Sequence, residues 1–141
     1  MPVSASRREI LLVEDNPGDV RLVAESLGGR RAVHGLHVVS DGEAAIAFVR
    51  AGNPRPDLVL LDLGLPRRTG LEVLAELKGD PDLRRIPVVV LTGSAADPDV
   101  TRAYDAHANC YVQKPTDLDG LMEAIAAIEL LWLRPVRVAR R

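Results

Sequence analysis

The sequence predicts an α/β fold built on one doubly wound, five-stranded parallel sheet with helices on both faces. Three observations predict it. Short, almost wholly apolar runs recur five times, segments of helical spacing separate them, and glycine, proline and acidic residues mark the joins. Strands that are apolar along their whole length are those buried on both faces, as in a parallel sheet covered by helices.

Taken in order, Ile10 to Val13 is the first predicted strand, and Asn16-Pro17 then offers a cap followed by proline for a helix carrying Val20, Leu22, Val23 and Leu27. Gly28-Gly29 is a plausible stop, and Leu36 to Val39 is the second strand. Asp41-Gly42-Glu43 starts a helix through Ala44, Ala45, Phe48 and Val49, which Gly52 ends. Leu58 to Leu61 is the third strand, followed by a helix over Leu71, Val73, Leu74 and Leu77. Val88 to Leu91 is the fourth, and Asp97-Pro98 opens a helix carrying Val100, Ala103, Tyr104 and His107. Cys110 to Val112 is the fifth and weakest strand, and Leu118, Leu121, Met122, Ile125 and Ile128 share one face of the last helix.

The chain has 141 residues, enough for one domain with its own core and too few for two ordinary ones. Residues 1–7 read as a flexible N-terminus, 8–128 as the domain and 129–141 as a C-terminal tail. No apolar stretch approaches the roughly 20 residues that cross a bilayer, and Arg7 and Arg8 precede no cleavable signal, so a cytoplasmic location without membrane attachment is expected. Cys110 is the only cysteine, which excludes an internal disulfide and a cysteine-based zinc cluster within the chain. A formal net charge of −2 gives no reason to expect nucleic-acid binding, although Arg134, Arg137, Arg140 and Arg141 make the tail locally basic. His34, His37 and His107 lack metal-ligand spacing.

The fold class turns dispersed residues into a site, because right-handed crossovers bring the C-terminal ends of all parallel strands to one edge of the sheet. The first apolar run ends in Glu14-Asp15, the third in Asp62 and the fourth in Thr92, and the fifth leads to Lys114. Three carboxylates in one place repel one another or take up protons unless a cation lies among them, and one lysine offsets only part of the charge. Hard oxygen ligands in small number suit Mg²⁺, which keeps several waters. Asp62 is then the natural nucleophile toward phosphorus, Lys114 balances the added charge, and the Thr92 hydroxyl donates to a phosphoryl oxygen.

The segments Leu12-Val13-Glu14-Asp15-Asn16, Leu60-Leu61-Asp62-Leu63-Gly64-Leu65-Pro66, Val90-Leu91-Thr92-Gly93-Ser94 and Lys114-Pro115 resemble, in order and spacing, the receiver domain of two-component response regulators. The resemblance covers about residues 8–128. It implies a flavodoxin-like fold with strand order 2-1-3-4-5, an acidic Mg²⁺ pocket, and a phosphoryl group received on Asp62 from a phosphohistidine of a sensor histidine kinase. It further implies that Asp15, Asp62 and the Gly64 carbonyl ligate the metal, that Glu14 orients its waters, and that the Lys114–Pro115 peptide is cis. Thr92 and Tyr111 would form a switch that reshapes the fourth helix, fifth strand and fifth helix.

Gly79-Asp80-Pro81-Asp82-Leu83-Arg84-Arg85-Ile86-Pro87, Asn109-Cys110-Tyr111-Val112-Gln113-Lys114-Pro115 and the Trp-Leu tail resemble the small receivers paired with bacterial phytochrome histidine kinases. No output domain follows, so a stand-alone receiver acting on an unidentified downstream protein is expected. The apolar Leu130-Leu131-Trp132-Leu133-Arg134-Pro135-Val136 either folds back or joins the face of the fourth helix, fifth strand and fifth helix in a homodimer. Two departures stand out: Gly64 has no side chain where many receivers carry a longer one, and Arg67-Arg68-Thr69-Gly70 lacks the frequent acidic residue before glycine.

Three rivals remain. An aspartate-nucleophile phosphohydrolase would need a second acid two positions after Asp62, where Gly64 stands. A flavin carrier would need aromatic stacking partners, and aromatics make up 3% of the chain. A receiver-like scaffold working without phosphorylation is the third. The chain therefore reads as a phosphoacceptor signalling module rather than an enzyme, with at most slow self-phosphorylation and autodephosphorylation.

Overall fold

The computed structural model describes residues 8–27, 34–93 and 96–133. The expected flexibility of residues 1–7, the Gly28-Gly29 stop, Ser94 and the tail beyond Leu133 lie outside them. The elements alternate: β1 (Arg8–Val13), α1 (Pro17–Leu27), β2 (His34–Val39), α2 (Gly42–Ala51), β3 (Leu58–Leu61), α3 (Gly70–Gly79), β4 (Val88–Thr92), α4 (Asp97–Asp105), β5 (Cys110–Gln113) and α5 (Leu118–Ile128). The five strands are parallel in the order β2-β1-β3-β4-β5. Fold class and strand order are those the sequence and its resemblance led us to expect.

The two-residue period of the strands divides their side chains between two cores. Leu11, Val13, Val59, Leu61, Val88 and Val90 face α2, α3 and α4, where they meet Val49, Val73, Leu74, Leu77 and Ala103. Ile10, Leu12, Leu58, Leu60, Val89 and Leu91 face α1 and α5, where they meet Val23, Leu27, Leu121 and Ile125. Truncating one fully buried leucine, such as Leu74 or Leu121, would cost about 2–5 kcal/mol through lost burial and the cavity left behind.

Helix ends follow local chemistry. Asp41 caps α2 by accepting from the Ala44 N–H, and Gly52 ends it at φ 66, a left-handed conformation that glycine adopts freely. Thr69 and Glu72 form a reciprocal capping box on α3. Asp117 caps α5 through the Gly120 N–H. On α4 the cap position is Ala96, with Asp97 and Pro98 in the first turn, and His107 lies beyond the helix at φ 71.

A wide π-type turn, Glu129–Leu133, extends α5. Trp132 packs onto the core shared by α1 and α5, whereas Leu130 and Leu131 are 56% and 70% exposed. The described start of the tail is thus divided: Trp132 folds back onto its own domain, while Leu130 and Leu131 face outward.

Candidate functional site

Backbone hydrogen bonds continue the sheet one residue past the strands and so fix the site at its root. The Glu14 N–H donates to the Val39 carbonyl at 3.0 Å, the Asp62 N–H to Val13 at 3.1 Å, and the Lys114 N–H to Thr92 at 2.7 Å. Each site residue thereby takes its position from the neighbouring strand. Gly70 completes the support. Its N–H donates to the Leu63 carbonyl at 3.0 Å, and a Cβ there would collide with the Asp62 carbonyl oxygen, so only glycine lets α3 start this close to β3.

Carboxylate oxygens of Glu14, Asp15 and Asp62 lie within 4.8 Å of one another. Glu14 is buried, Asp62 half-buried and Asp15 exposed, a gradient running from the sheet to solvent. They line an open cavity of about 490 Å³ together with Asn16, Asp19, Gly93, Lys114 and Thr116. Lys114 reaches in from the end of β5, its Nζ 2.7 Å from Glu14 Oε1 and 2.9 Å from Asp19 Oδ2. The Asn16 N–H donates to Glu14 Oε2 at 3.2 Å, and Asn16 Oδ1 accepts from the Asp19 N–H at 3.1 Å, which ties the β1–α1 loop to the carboxylates.

Burial pushes the Glu14 carboxyl above its ordinary pKa; the hydrogen bond from Lys114 opposes this and the charge on Asp62 adds to it. Burial also pulls the Lys114 ammonium down, but its hydrogen bonds to Asp19 and Glu14 outweigh that and hold its pKa above the ordinary value. The two shifts have a common origin: excess negative charge in a partly dehydrated place. Three hard oxygen donors of graded exposure fit a divalent cation that keeps part of its water shell.

Of the residues singled out in the sequence, Glu14, Asp15, Asp62 and Lys114 line this cavity. Thr92 is buried behind its neighbour Gly93, which does line it. A Cβ at Gly64 would stand 4.0 Å from Asp62 Oδ2, so a side chain there would lie beside the carboxylate. Tyr111 is half-buried against the core under α2, α3 and α4, and its N–H donates to Tyr104 Oη at 3.1 Å.

One expectation needs correction. The Lys114–Pro115 peptide is not cis; among the described residues the cis bond is Asn53–Pro54. Trans is the intrinsic preference of an X-Pro bond by about 0.5–1 kcal/mol. In that geometry the Pro115 ring already packs over the first turn of α5, 2.9 Å from where a Gly120 Cβ would be. Asp19 was missed altogether. The available signal was its position in the first helical turn after the Glu14-Asp15 pair, at the same sheet edge.

Fold, strand order and an acidic cluster at the carboxyl edge define a receiver, and residues 10–126 match the family described as response regulator receiver domain. The chain belongs to that family and is a phosphoryl-accepting signalling module. Among relatives, the response regulator Rcp1 of Synechocystis is 48% identical over 132 residues, covering 90% of each chain. The phosphorylated cyanobacterial phytochrome response regulator RcpA superposes with a TM-score of 0.89 at 44% identity, over 96% of this chain and all of that one. The bacteriophytochrome response regulator AtBRR gives 0.73 at 37% identity, over 96% and 99%. A structure of Rcp1 in its Mn(2+)-bound form superposes at 0.84 with 47% identity, over 94% and 99%, so a close relative binds a divalent cation. Membership of the family implies a sensor kinase as partner. No helix among the described residues is long and apolar enough to cross a membrane.

Proposed function

We propose that Asp62 is the phosphoacceptor, that the acidic cluster takes Mg²⁺, and that the donor is a phosphohistidine on a phytochrome-type sensor histidine kinase. The observation that carries this is the gathering of three carboxylates within 4.8 Å beside a lysine that already holds two of its three N–H bonds. In the transfer, an Asp62 oxygen bonds to phosphorus as the P–N bond to the donor imidazole breaks, and that ring nitrogen keeps the electron pair. Asp15, Asp62 and the Gly64 carbonyl would ligate the cation, with Glu14 orienting its waters. A bound cation would neutralise the charge gathering on the phosphoryl oxygens. Lys114 supplies a further positive charge and the Thr92 hydroxyl a hydrogen bond. The likeness to Rcp1, RcpA and AtBRR supports the phytochrome pairing and, with it, a cytoplasmic protein.

Phosphorylation would act on a two-state equilibrium in which Thr92 moves toward the phosphoryl group and Tyr111 turns inward behind it. Tyr111 is half-buried at the edge strand, packed against the core under α2, α3 and α4. Output runs through the α4–β5–α5 face, whose helices carry the exposed side chains of Tyr104, Leu118 and Met122 at 48%, 38% and 43%; Leu130 and Leu131, just after α5, are exposed as well. A homodimer on this face would cover it.

Intact-protein mass spectrometry after incubation with Mg²⁺ and acetyl phosphate tests the assignment. One phosphoryl adduct is expected that needs Mg²⁺ and is absent in Asp62→Asn; an adduct that persists in the variant refutes Asp62. A red-light-sensing kinase of the phytochrome type that transfers no phosphoryl group to the chain would refute the pairing. A mass by light scattering that stays monomeric at all concentrations, phosphorylated or not, would refute the dimer.

A further inference from the structure

An ammonium has three N–H donors, and Lys114 spends two of them on carboxylates of very different standing. Glu14 belongs to the acidic cluster and its side chain is 3% exposed. Asp19 lies outside the cluster and its side chain is 30% exposed. Among the described residues no ion pair joins Lys114 to Asp62. The lysine therefore rests on the α1 side of the site, drawn there by an aspartate whose own N–H is anchored on Asn16 Oδ1 at 3.1 Å.

A phosphoryl group on Asp62 adds charge and oxygen acceptors and demands an ammonium. The two present partners do not release it at equal cost. Glu14 would be left charged and dry, whereas Asp19 would regain water. Asp19 is the bond that yields.

We propose that Asp19 is a positioning residue that parks Lys114 beside α1, and that a phosphoryl group on Asp62 competes with Asp19 for the lysine. The proposal rests on Asp62 being the phosphoacceptor. Asp19 then stabilises the unphosphorylated state and sets how strongly the site holds its phosphoryl group, without touching that group.

The test titrates beryllofluoride, a tetrahedral stand-in for a phosphoryl group on a carboxylate, into the full chain with Mg²⁺, followed by fluorine NMR. Asp19→Asn is expected to bind about fivefold tighter than the parent, the order expected for one partly exposed ion pair. Asp19→Glu, which keeps the charge, is expected to stay near the parent. In a Lys114→Ala background, Asp19→Asn is expected to change nothing. Unchanged or weaker binding in the single variant overturns the proposal, as does equal tightening in both backgrounds, which would be the bare field of the carboxylate.

A second readout covers an alanine background that binds too weakly to titrate. The side-chain nitrogen-15 resonance of Lys114, assigned by its loss in Lys114→Ala, is expected to move in Asp19→Asn without ligand. An unmoved resonance overturns the parking role alone. A parent that binds no beryllofluoride instead sinks the reading of Asp62, so the two failures are distinguishable.

Discussion

Replacing Asp62 by asparagine is expected to stabilise the metal-free protein while weakening its response to Mg²⁺. The carboxylate oxygens of Glu14, Asp15 and Asp62 approach within 4.8 Å. At that separation each like-charged pair costs about 0.9 kcal/mol in a water-like medium and about 3.5 kcal/mol at an effective dielectric of roughly 20. Asp62 is half-buried, and Lys114 at 2.7 Å from Glu14 cancels part of the repulsion, so about 1–2 kcal/mol is the reasonable gain. For a domain of this size that is roughly 3–6 °C in Tm. Asparagine keeps the shape and leaves the N–H to Val13 in place. Thermal unfolding by circular dichroism, at low ionic strength in chelator and again in excess Mg²⁺, is the assay. The variant should melt higher in chelator, and the gap should close or invert with Mg²⁺, because the parent gains about 2.7 kcal/mol once the cation is at 100 times its Kd. A variant that melts at or below the parent in chelator would refute the view that these carboxylates strain one another.

Three further outcomes are expected. Lys78 Nζ donates to the Ile86 carbonyl at 2.8 Å, the Arg84 carbonyl at 3.0 Å and Asn109 Oδ1 at 2.9 Å, so Lys78→Met should cost about 2–3 kcal/mol in urea unfolding; a loss under about 0.5 kcal/mol would contradict this. The N–H groups of Leu83 and Asp82, and then Arg50, hold the Asp80 carboxyl below its ordinary pKa, so its contribution is complete above the unfolded value near pH 4 and is lost as pH falls through the folded value. Asp80→Asn should therefore flatten the acid limb of a stability–pH curve, and an unaltered limb would count against it. Gly70→Ala should cost about 2–3 kcal/mol and weaken Mg²⁺ binding measured by calorimetry, since its Cβ meets the backbone of Asp62 and Leu63; near-parent stability would show that α3 can move away freely.

Much of the fold was legible because both faces of the central strands are buried, which leaves unbroken apolar runs: β3 is Leu58–Leu61, as the pattern reads. β1 and β2 begin two residues before their apolar runs because Arg8 pairs with His34 and Glu9 with Gly35, so neighbouring backbone extends a strand through residues of no strand character. The α4 boundary was harder. It carries few apolar residues, its cap is an alanine that makes no side-chain bond, and His107 leaves the helix. In the site, strand ends revealed the carboxylates and the lysine. The Lys114–Asp19 pair was hidden because 95 residues separate the partners and an acidic first turn reads equally well as a helix-dipole feature. The isomer of an X-Pro bond depends on what its ring packs against, which no dipeptide reveals.

The same geometry indicates where a signal can leave the site. Glu14 and Asp62 are rooted in strands buried on both sides, and β3 and β4 are buried at every position, so the centre of the sheet has little freedom to respond. β5 is half-buried at three positions and exposed at the fourth. It lies at the sheet edge, and the N–H of Tyr111 turns to a side chain, Tyr104 Oη on α4, instead of a further strand. A hydroxyl can exchange that bond for water at little cost, whereas a ladder bond inside the sheet has no such substitute. Lys114 sits at the end of this same strand, so a change in which carboxylate it serves would pull on β5 first and on α4 through it. Charge redistribution at Asp62 would therefore be read out on the α4–β5 side because that is where the fold yields most cheaply.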